Sequence, residues 1–313
     1  MKQFLDNNKS IRVVILVTAL VISATPFVNP PIALLLGFLF AQFIGHPFIH
    51  LNHKATNILL KTSVVGLGFG MNLSAAIHAG HDGFLLTVAS IFTTLTLGYL
   101  IGRSLKIAQK TSHLVASGTA ICGGSAIAAV GPMVDASEKD MSVALGTVFL
   151  LNSIALLIFP PIGHFFKLTQ HQFGLWSAIA IHDTSSVVGA ASTYGQEALQ
   201  TATTVKLARA LWIIPVALLT ALAFKSKNRK IKLPWFIGLF ILAMLFNTYM
   251  PVFGSSFKFI SDISKTGLTV TLFLIGADLS FEKIKSVGWK PLALGVALWI
   301  FISVVSLVTI RAI

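Results

Sequence analysis

Charge is what this sequence of 313 residues has least of: Asp, Glu, Lys and Arg together make up 11% of it, and only ten residues are acidic. So little charge, with 55% hydrophobic residues and a mean hydropathy of +0.85, excludes an ordinary soluble domain and indicates a polytopic membrane protein. The single cysteine, Cys122, excludes an intramolecular disulfide framework and zinc-ribbon spacings. A formal charge of +13 invites a nucleic-acid reading, but no basic domain stands outside the apolar runs. The bases sit in short loops, where they read as topology determinants. No loop is long enough for a soluble domain. No cleavable signal is evident either: Lys2, Lys9 and Arg12 flank an apolar run from Ile11 to Thr25, yet Ser23-Ala24-Thr25-Pro26 is a poor cleavage site. The run is expected to be a first span.

What is present is a series of apolar runs. Eleven membrane segments are expected, at about 11–26, 31–45, 56–77, 83–102, 112–133, 138–160, 172–193, 198–224, 234–250, 257–278 and 291–311. The second is short for a full crossing. Prolines punctuate the loops, at Pro30-Pro31, Pro47, Pro160-Pro161, Pro234, Pro251 and Pro291. Positive charge sorts them: Lys2/Lys9/Arg12, His53/Lys54, Arg103/Lys106/Lys110, Lys225/Lys227/Arg229/Lys230/Lys232 and Lys283/Lys285/Lys290 alternate with base-poor loops. The positive-inside rule then puts the N-terminus in the cytoplasm and the C-terminus outside, with Trp235 and Trp289 at the inner interface.

An internal repeat is visible. Pro47 precedes Lys61-Thr62 by the interval that separates Pro251 from Lys265-Thr266, and Gly70-Met71-Asn72-Leu73-Ser74 matches Gly276-Ala277-Asp278-Leu279-Ser280. The matched segments are the third and the tenth, which run in opposite directions, as in the inverted repeats of transporters. Repeat one is expected over about 31–160 and repeat two over about 172–313.

Two segments are interrupted by polar or glycine residues at mid-depth. The first break is Ala120-Ile121-Cys122-Gly123-Gly124-Ser125-Ala126, and the second is Ala180-Ile181-His182-Asp183-Thr184-Ser185-Ser186. Unsatisfied polar groups in hydrocarbon cost several kcal/mol each, so such breaks belong where helices face packed protein or line a cavity. If both segments span, they run the same way; if both are re-entrant hairpins, they are inverted. Asp135, Glu138 and Asp140 after the first break, and Lys167 before the second, favour two broken helices that span.

At the first break, glycines free backbone N–H groups, a half-helix N-terminus offers partial positive charge, and Thr119 and Ser125 add hydroxyls. A Gly-rich packing face is the plainer alternative. Cys122 reads as a small packing residue, with no adjacent base. At the second break a carboxylate lies ~15 Å deep at helical rise, which is a functional hypothesis by default, with Asp183 and His182 as groups for proton or cation coupling. Lys206 and Arg209 share one face of the eighth segment. Lys206 could snorkel, whereas Arg209 is near mid-bilayer and suits an oxyanion or a structural bridge to Asp183. Lys61 is expected to snorkel, Lys265 to pair with Asp262, Asn72 and Asp278 to cap, and Asn152 to need a partner in another helix. His46, His50 and His53 lack a specific metal spacing.

The two breaks, followed by Lys206-Leu207-Ala208-Arg209, resemble the YeiH-type family of bacterial inner-membrane proteins, whose family label is sulfate exporter. The resemblance covers nearly the whole chain. It implies the superfamily of cation/proton antiporters and bile-acid-type transporters, an all-α membrane fold with inverted five-helix repeats, a panel domain, and a core domain of crossed, broken helices.

Two carriers follow as expectations. The first is a secondary transporter for a small, sulfate-like oxyanion working by alternating access. It would bind substrate through Thr119, Cys122, Gly123, Gly124, Ser125, Thr184, Ser185, Ser186, Lys206 and Arg209, with His182 and Asp183 in proton or sodium coupling. The second is a proton- or sodium-coupled cation antiporter built on Asp183. An intramembrane hydrolase using Ser125, His182 and Asp183 is disfavoured, because adjacent helical residues point to different faces. No enzyme activity, cofactor, metal or nucleic-acid partner is expected. Bilayer lipid and a small anion are the expected partners, and a homodimer is left open.

Overall fold

The structure, a computed structural model, describes residues 9–45, 47–225, 235–278 and 288–312. Lys2, His46, Lys227, Arg229, Lys230, Lys232, Leu279-Ser280, Lys283 and Lys285 lie outside the described residues, as do the side chains of Lys9, His50 and His53. All regular structure among the described residues is helical, and each of the eleven apolar runs coincides with one helix or a pair. Five helical stretches are long and apolar enough to cross a membrane: Gly83–Ser104, Glu138–Phe165, Gln196–Ala223, Pro251–Asp278 and Trp289–Ala312.

The chain divides into two units, each drawn from both halves of the sequence: Met1–Ala75 with Trp235–Glu282, and Ala76–Pro234 with Lys283–Ile313. The first contains α1 (Lys9–Ser23), α2 (Pro30–Phe43), α3 (Ile49–Gly68), the start of α4 (Leu73–Ser104), α12 (Trp235–Tyr249) and α13 (Gly254–Asp278). Asn29 caps α2 by accepting from the Ile32 amide at 3.0 Å, and Pro30-Pro31 supply the first turn, where missing N–H groups cost nothing. At 14 residues, α2 is as short as its sequence promised, about 21 Å at helical rise.

α13 packs against both α2 and α3. Small residues set that packing. A methyl on Gly37 would fall on the Phe273 carbonyl, and one on Gly276 on the Leu34 carbonyl, so the backbones of α2 and α13 touch. Along α3, Ser63 fills the space over Gly267 while Ser264 fills the space over Gly66. Position rises on one helix as it falls on the other, so the two helices matched in sequence lie antiparallel. Asn52 donates to the Leu274 carbonyl at 2.9 Å, and Asn72 caps α4 by accepting from the Ser74 amide at 2.8 Å, as expected. The expected Lys265–Asp262 pair forms at 3.0 Å on the exposed side, and Lys61 lies 6.0 Å from the centre of the Phe236 ring.

The second unit holds the rest of α4, then α5 (Gln109–Ala120), α6 (Gly124–Val130, continued by a 3-10 turn over Gly131–Val134), α7 (Glu138–Phe165), α8 (Gln170–Ala180), α9 (Thr184–Tyr194), α10 (Gln196–Leu211), α11 (Ile213–Ala223) and α14 (Trp289–Ala312). Its core includes Leu114, Val115, Ile127, Met133, Val148, Leu294 and Leu298. A 3-10 turn of three residues, Pro251–Phe253, precedes α13 in the first unit.

The two interrupted segments do not run through as spanning helices. Each folds back on itself. In the first, the end returns to the start: Lys110 Nζ donates to the Asp135 carbonyl at 2.6 Å and Thr111 Oγ1 to Asp140 at 2.5 Å. In the second, Tyr194 Oη donates to the Leu168 carbonyl at 2.7 Å, and the Glu197 amide donates to Gln170 Oε1 at 3.0 Å. The arms of the second hairpin have 11 residues each, about 16 Å, roughly half a bilayer. The charge argument for spanning fails for a local reason. Asp140 forms a capping box with Ser137 at the start of α7, and acidic residues weigh little in the positive-inside rule.

Candidate functional site

The hairpin tips meet. Gly123, at the turn of the first hairpin, has φ +65, a conformation that L side chains rarely adopt. A methyl there would lie 3.3 Å from the Asp183 Cβ and 3.4 Å from Val148 Cγ1. The glycine therefore serves twice, reversing the chain and admitting the other tip. Among the described residues, the buried charged side chains are Asp183, Lys206 and Arg209, all at this crossing.

Each charge sits on a helix end of opposite sign. α5 ends at Ala120 and α8 at Ala180, and each leaves carbonyls without a helical partner. Arg209 reaches from α10 to the first hairpin, where Nε donates to the Ala120 carbonyl at 2.8 Å and Nη2 donates to the same oxygen. Lys206, one turn earlier, serves the second hairpin: Nζ donates to Ile181 O at 2.6 Å and Ala178 O at 3.2 Å. Lys206 is 0% exposed, so it does not snorkel. Cations at helix C-termini are favoured by the peptide dipoles as well as by the hydrogen bonds.

The carboxylate takes the opposite kind of end. Asp183 is the N-cap of α9, accepting from the Ser186 amide at 3.1 Å and from Ser185 Oγ at 2.6 Å. Asp183 and Arg209 form no ion pair, so the bridge the sequence left open is not made; each charge is instead held by a helix end. From α7, Asn152 accepts the His182 amide at 2.9 Å, the partner its position demanded. Asn152 is the residue of this site that sequence reasoning placed outside it.

The remaining polar groups are unevenly satisfied. Arg209 Nη1, both ring nitrogens of His182, Asn152 Nδ2, Thr119 Oγ1 and Ser117 Oγ are buried without hydrogen-bond partners. Buried polar atoms are rarely left so, and a cluster of them at one crossing needs an account. His182 therefore makes no hydrogen bond to Ser125. Cys122 is a buried free thiol. Ser125 is exposed, and Gly124 and Thr184 are half-buried. Gly124, Ser125 and Thr184 are thus less buried than Gly123 and Asp183 at the tips themselves. Of the residues expected from sequence, the two tips, Lys206 and Arg209 come together; Lys61, Asn72 and Lys265 belong to the other unit.

The family profile described as conserved hypothetical protein 698 matches residues 9–295. A UPF0324 membrane protein of Bacteroides thetaiotaomicron is 53% identical, over 98% of this chain and 96% of its own. Another from Photobacterium profundum is 55% identical, over 90% of this chain and 86% of its own, and one from Shewanella oneidensis is 51% identical, over 94% and 93%. No solved structure matches. Identity near one half along almost the entire length, together with the profile match, makes this chain a member of the UPF0324 family of membrane proteins, to which the YeiH-type resemblance also points.

Proposed function

We propose that the protein is a secondary carrier of a small, sulfate-like oxyanion in the bacterial inner membrane, working by alternating access. One observation carries this reading: the buried crossing holds two cations against one carboxylate, and Arg209 Nη1 has no partner there. The helix ends do not redress the balance. Two C-terminal ends and two N-terminal ends meet at the tips, each worth about half a charge, and these cancel to first order. An excess positive charge buried in a membrane protein is costly, and an anion neutralises it. Ser125 and Thr184, at the less buried first turns, lie where an anion would arrive, with Gly124 offering a backbone donor; the Gly123 amide, expected from the sequence to be free, donates to the Gly118 carbonyl at 2.9 Å. Asp183 and His182 are assigned to coupling.

In this reading nine segments cross the bilayer, and the two hairpins enter from opposite faces. The first hairpin opens to the cytoplasm beside Arg103, Lys106 and Lys110, and the second opens outside. N-terminus inside and C-terminus outside are retained, because removing two spans preserves parity. The repeat then becomes consistent. The set α2, α3, α4, first hairpin, α7 corresponds to α12, α13, α14, second hairpin, α10–α11, and all members are inverted. The second set is rotated in chain order, so the boundaries near 31–160 and 172–313 still divide the sets.

The test is sulfate counterflow in proteoliposomes, run with and without a pH or sodium gradient. Saturable exchange is expected in the wild type. Asp183→Asn is expected to retain exchange while losing gradient-driven accumulation. Asp183 also favours a second reading, a cation antiporter. Absence of sulfate flux with sodium-triggered proton movement that Asp183→Asn abolishes would overturn the anion carrier in its favour.

A further inference from the structure

The two long helices behind the tips, α7 and α10, treat them in the same way. Each sends one polar side chain across to the other hairpin and leaves part of that side chain unspent. Arg209 on α10 uses Nε and Nη2 on Ala120 O of the first hairpin, and its Nη1 is buried and unpartnered. Asn152 on α7 accepts the His182 amide of the second hairpin through Oδ1, and its Nδ2 is buried and unpartnered. The amide orientation follows from the chemistry: a backbone N–H is a donor, so the oxygen must face it and the NH₂ group must face away. Asn152 is 2% exposed and Arg209 0%.

Both donors are carried by residues that anchor the tips on either side of the Gly123–Asp183 contact. His182, held by Asn152, adjoins Asp183, which touches Gly123; Gly123 is three residues beyond Ala120, held by Arg209. Val148, one turn before Asn152 on α7, also borders Gly123. An unmade hydrogen bond from a buried amide costs the full desolvation of the group, and α7 offers many apolar alternatives at this depth. A lone structural role would need only an acceptor for the His182 amide. The extra donor needs an acceptor that the protein does not itself provide.

We infer that Asn152 Nδ2 is a ligand of the transported oxyanion, acting with Arg209 Nη1 as a two-sided clamp at the hairpin crossing. The inference rests on the anion-carrier reading and adds to it a residue from the first repeat set. A neutral amide paired with one guanidinium suits a tetrahedral oxyanion: the guanidinium balances charge and the amide adds direction without further charge. The clamp also draws one member from each inverted set, so movement of either set alters both contacts.

The test uses purified full-length protein and sodium sulfate, with binding read by calorimetry and by the sulfate-induced rise in melting temperature. Asn152→Asp keeps an acceptor for the His182 amide and removes the donor. Asn152→Ser keeps a smaller acceptor without adding a carboxylate, so it serves where the acidic variant misfolds and controls for simple charge repulsion. Sulfate affinity is expected to fall about tenfold or more in both, the loss of one hydrogen bond to a charged group. Melting of the unliganded serine variant is expected to stay close to wild type. Because both donors hold one ion, Asn152→Ser is expected to cost less in an Arg209→Lys background than in the wild type. Sulfate binding within threefold of wild type in either folded variant would overturn the inference and leave the carrier reading standing. Wild-type protein that binds neither sulfate nor phosphate would remove the carrier reading itself.

Discussion

Replacing Arg209 tests its structural duty at the tip of the first hairpin. Its guanidinium makes two charge-assisted bonds to the Ala120 carbonyl and is 0% exposed. Arg209→Met keeps much of the volume and removes the charge. The Ala120 carbonyl then loses its partners, which costs about 1–3 kcal/mol for a buried unsatisfied group. The α5 terminus loses its cation, about another 1–2 kcal/mol in a buried setting. Relief of repulsion from Lys206, on the same face one turn away, and of guanidinium desolvation works the other way. The expected net loss is about 2–3 kcal/mol. Arg209→Ala adds a cavity and should lose about 1–2 kcal/mol more. Arg209→Lys keeps the charge but can make only one bond to that oxygen, for about 1 kcal/mol. Thermal unfolding in detergent without added anion should therefore rank wild type above Lys, Lys above Met and Met above Ala. A methionine variant as stable as wild type would refute the argument, because the guanidinium would then not be holding the first hairpin's tip.

Two further predictions concern the hairpins. Gly123→Ala places a methyl 3.3 Å from Asp183 Cβ at a residue with φ +65, and about 1–3 kcal/mol of backbone strain should lower the melting temperature; a melting temperature equal to wild type would mean that the tips do not touch. In a Cys122→Ala background, single cysteines at Ser104 and Glu138 should label from the cytoplasmic side with an impermeant maleimide, and those at Lys167 and Glu197 from the outside. Labelling of Ser104 and Glu138 from opposite sides would restore a spanning segment.

The eleven helical stretches were legible because apolar length and proline punctuation are local signals. The breaks were legible because polar runs such as His182-Asp183-Thr184-Ser185-Ser186 are expensive in hydrocarbon. The hairpins were not. Two arms of about 11 residues with a short tip have the same apolar length as one crossing helix, and only Lys110 beside Asp135, or Tyr194 beside Leu168, reveals the reversal. Nor were the partners of Lys206 and Arg209 legible. Sequence suggests that a buried cation seeks a carboxylate, whereas here the acceptors are carbonyls exposed by the breaks, which no side-chain pattern records. Asn152 was recognised as needing a partner, but its partner is the His182 amide, freed only because α8 ends there.

Placement of charge on helix ends bears on how such a site could carry an ion. A buried salt bridge between Asp183 and Arg209 would have to break or be shielded whenever a substrate anion competed for the guanidinium, and breaking a buried pair costs several kcal/mol. Here the carboxylate is already satisfied by α9 and its serines, and both cations are anchored to carbonyls. An incoming anion therefore needs to displace none of these bonds. The groups still unpartnered include Arg209 Nη1, Asn152 Nδ2, the His182 ring, Thr119 Oγ1 and Ser117 Oγ. Binding at such groups adds contacts without first dissolving others, so ligand occupancy should stiffen the two tips against each other. Release, in turn, should return each tip to the hold of its own anchor, Lys206 and Asn152 for the second and Arg209 for the first. On the carrier reading proposed above, the hairpins would stay folded throughout a transport cycle, and their relative movement, rather than their unfolding, would be the step that alternates access.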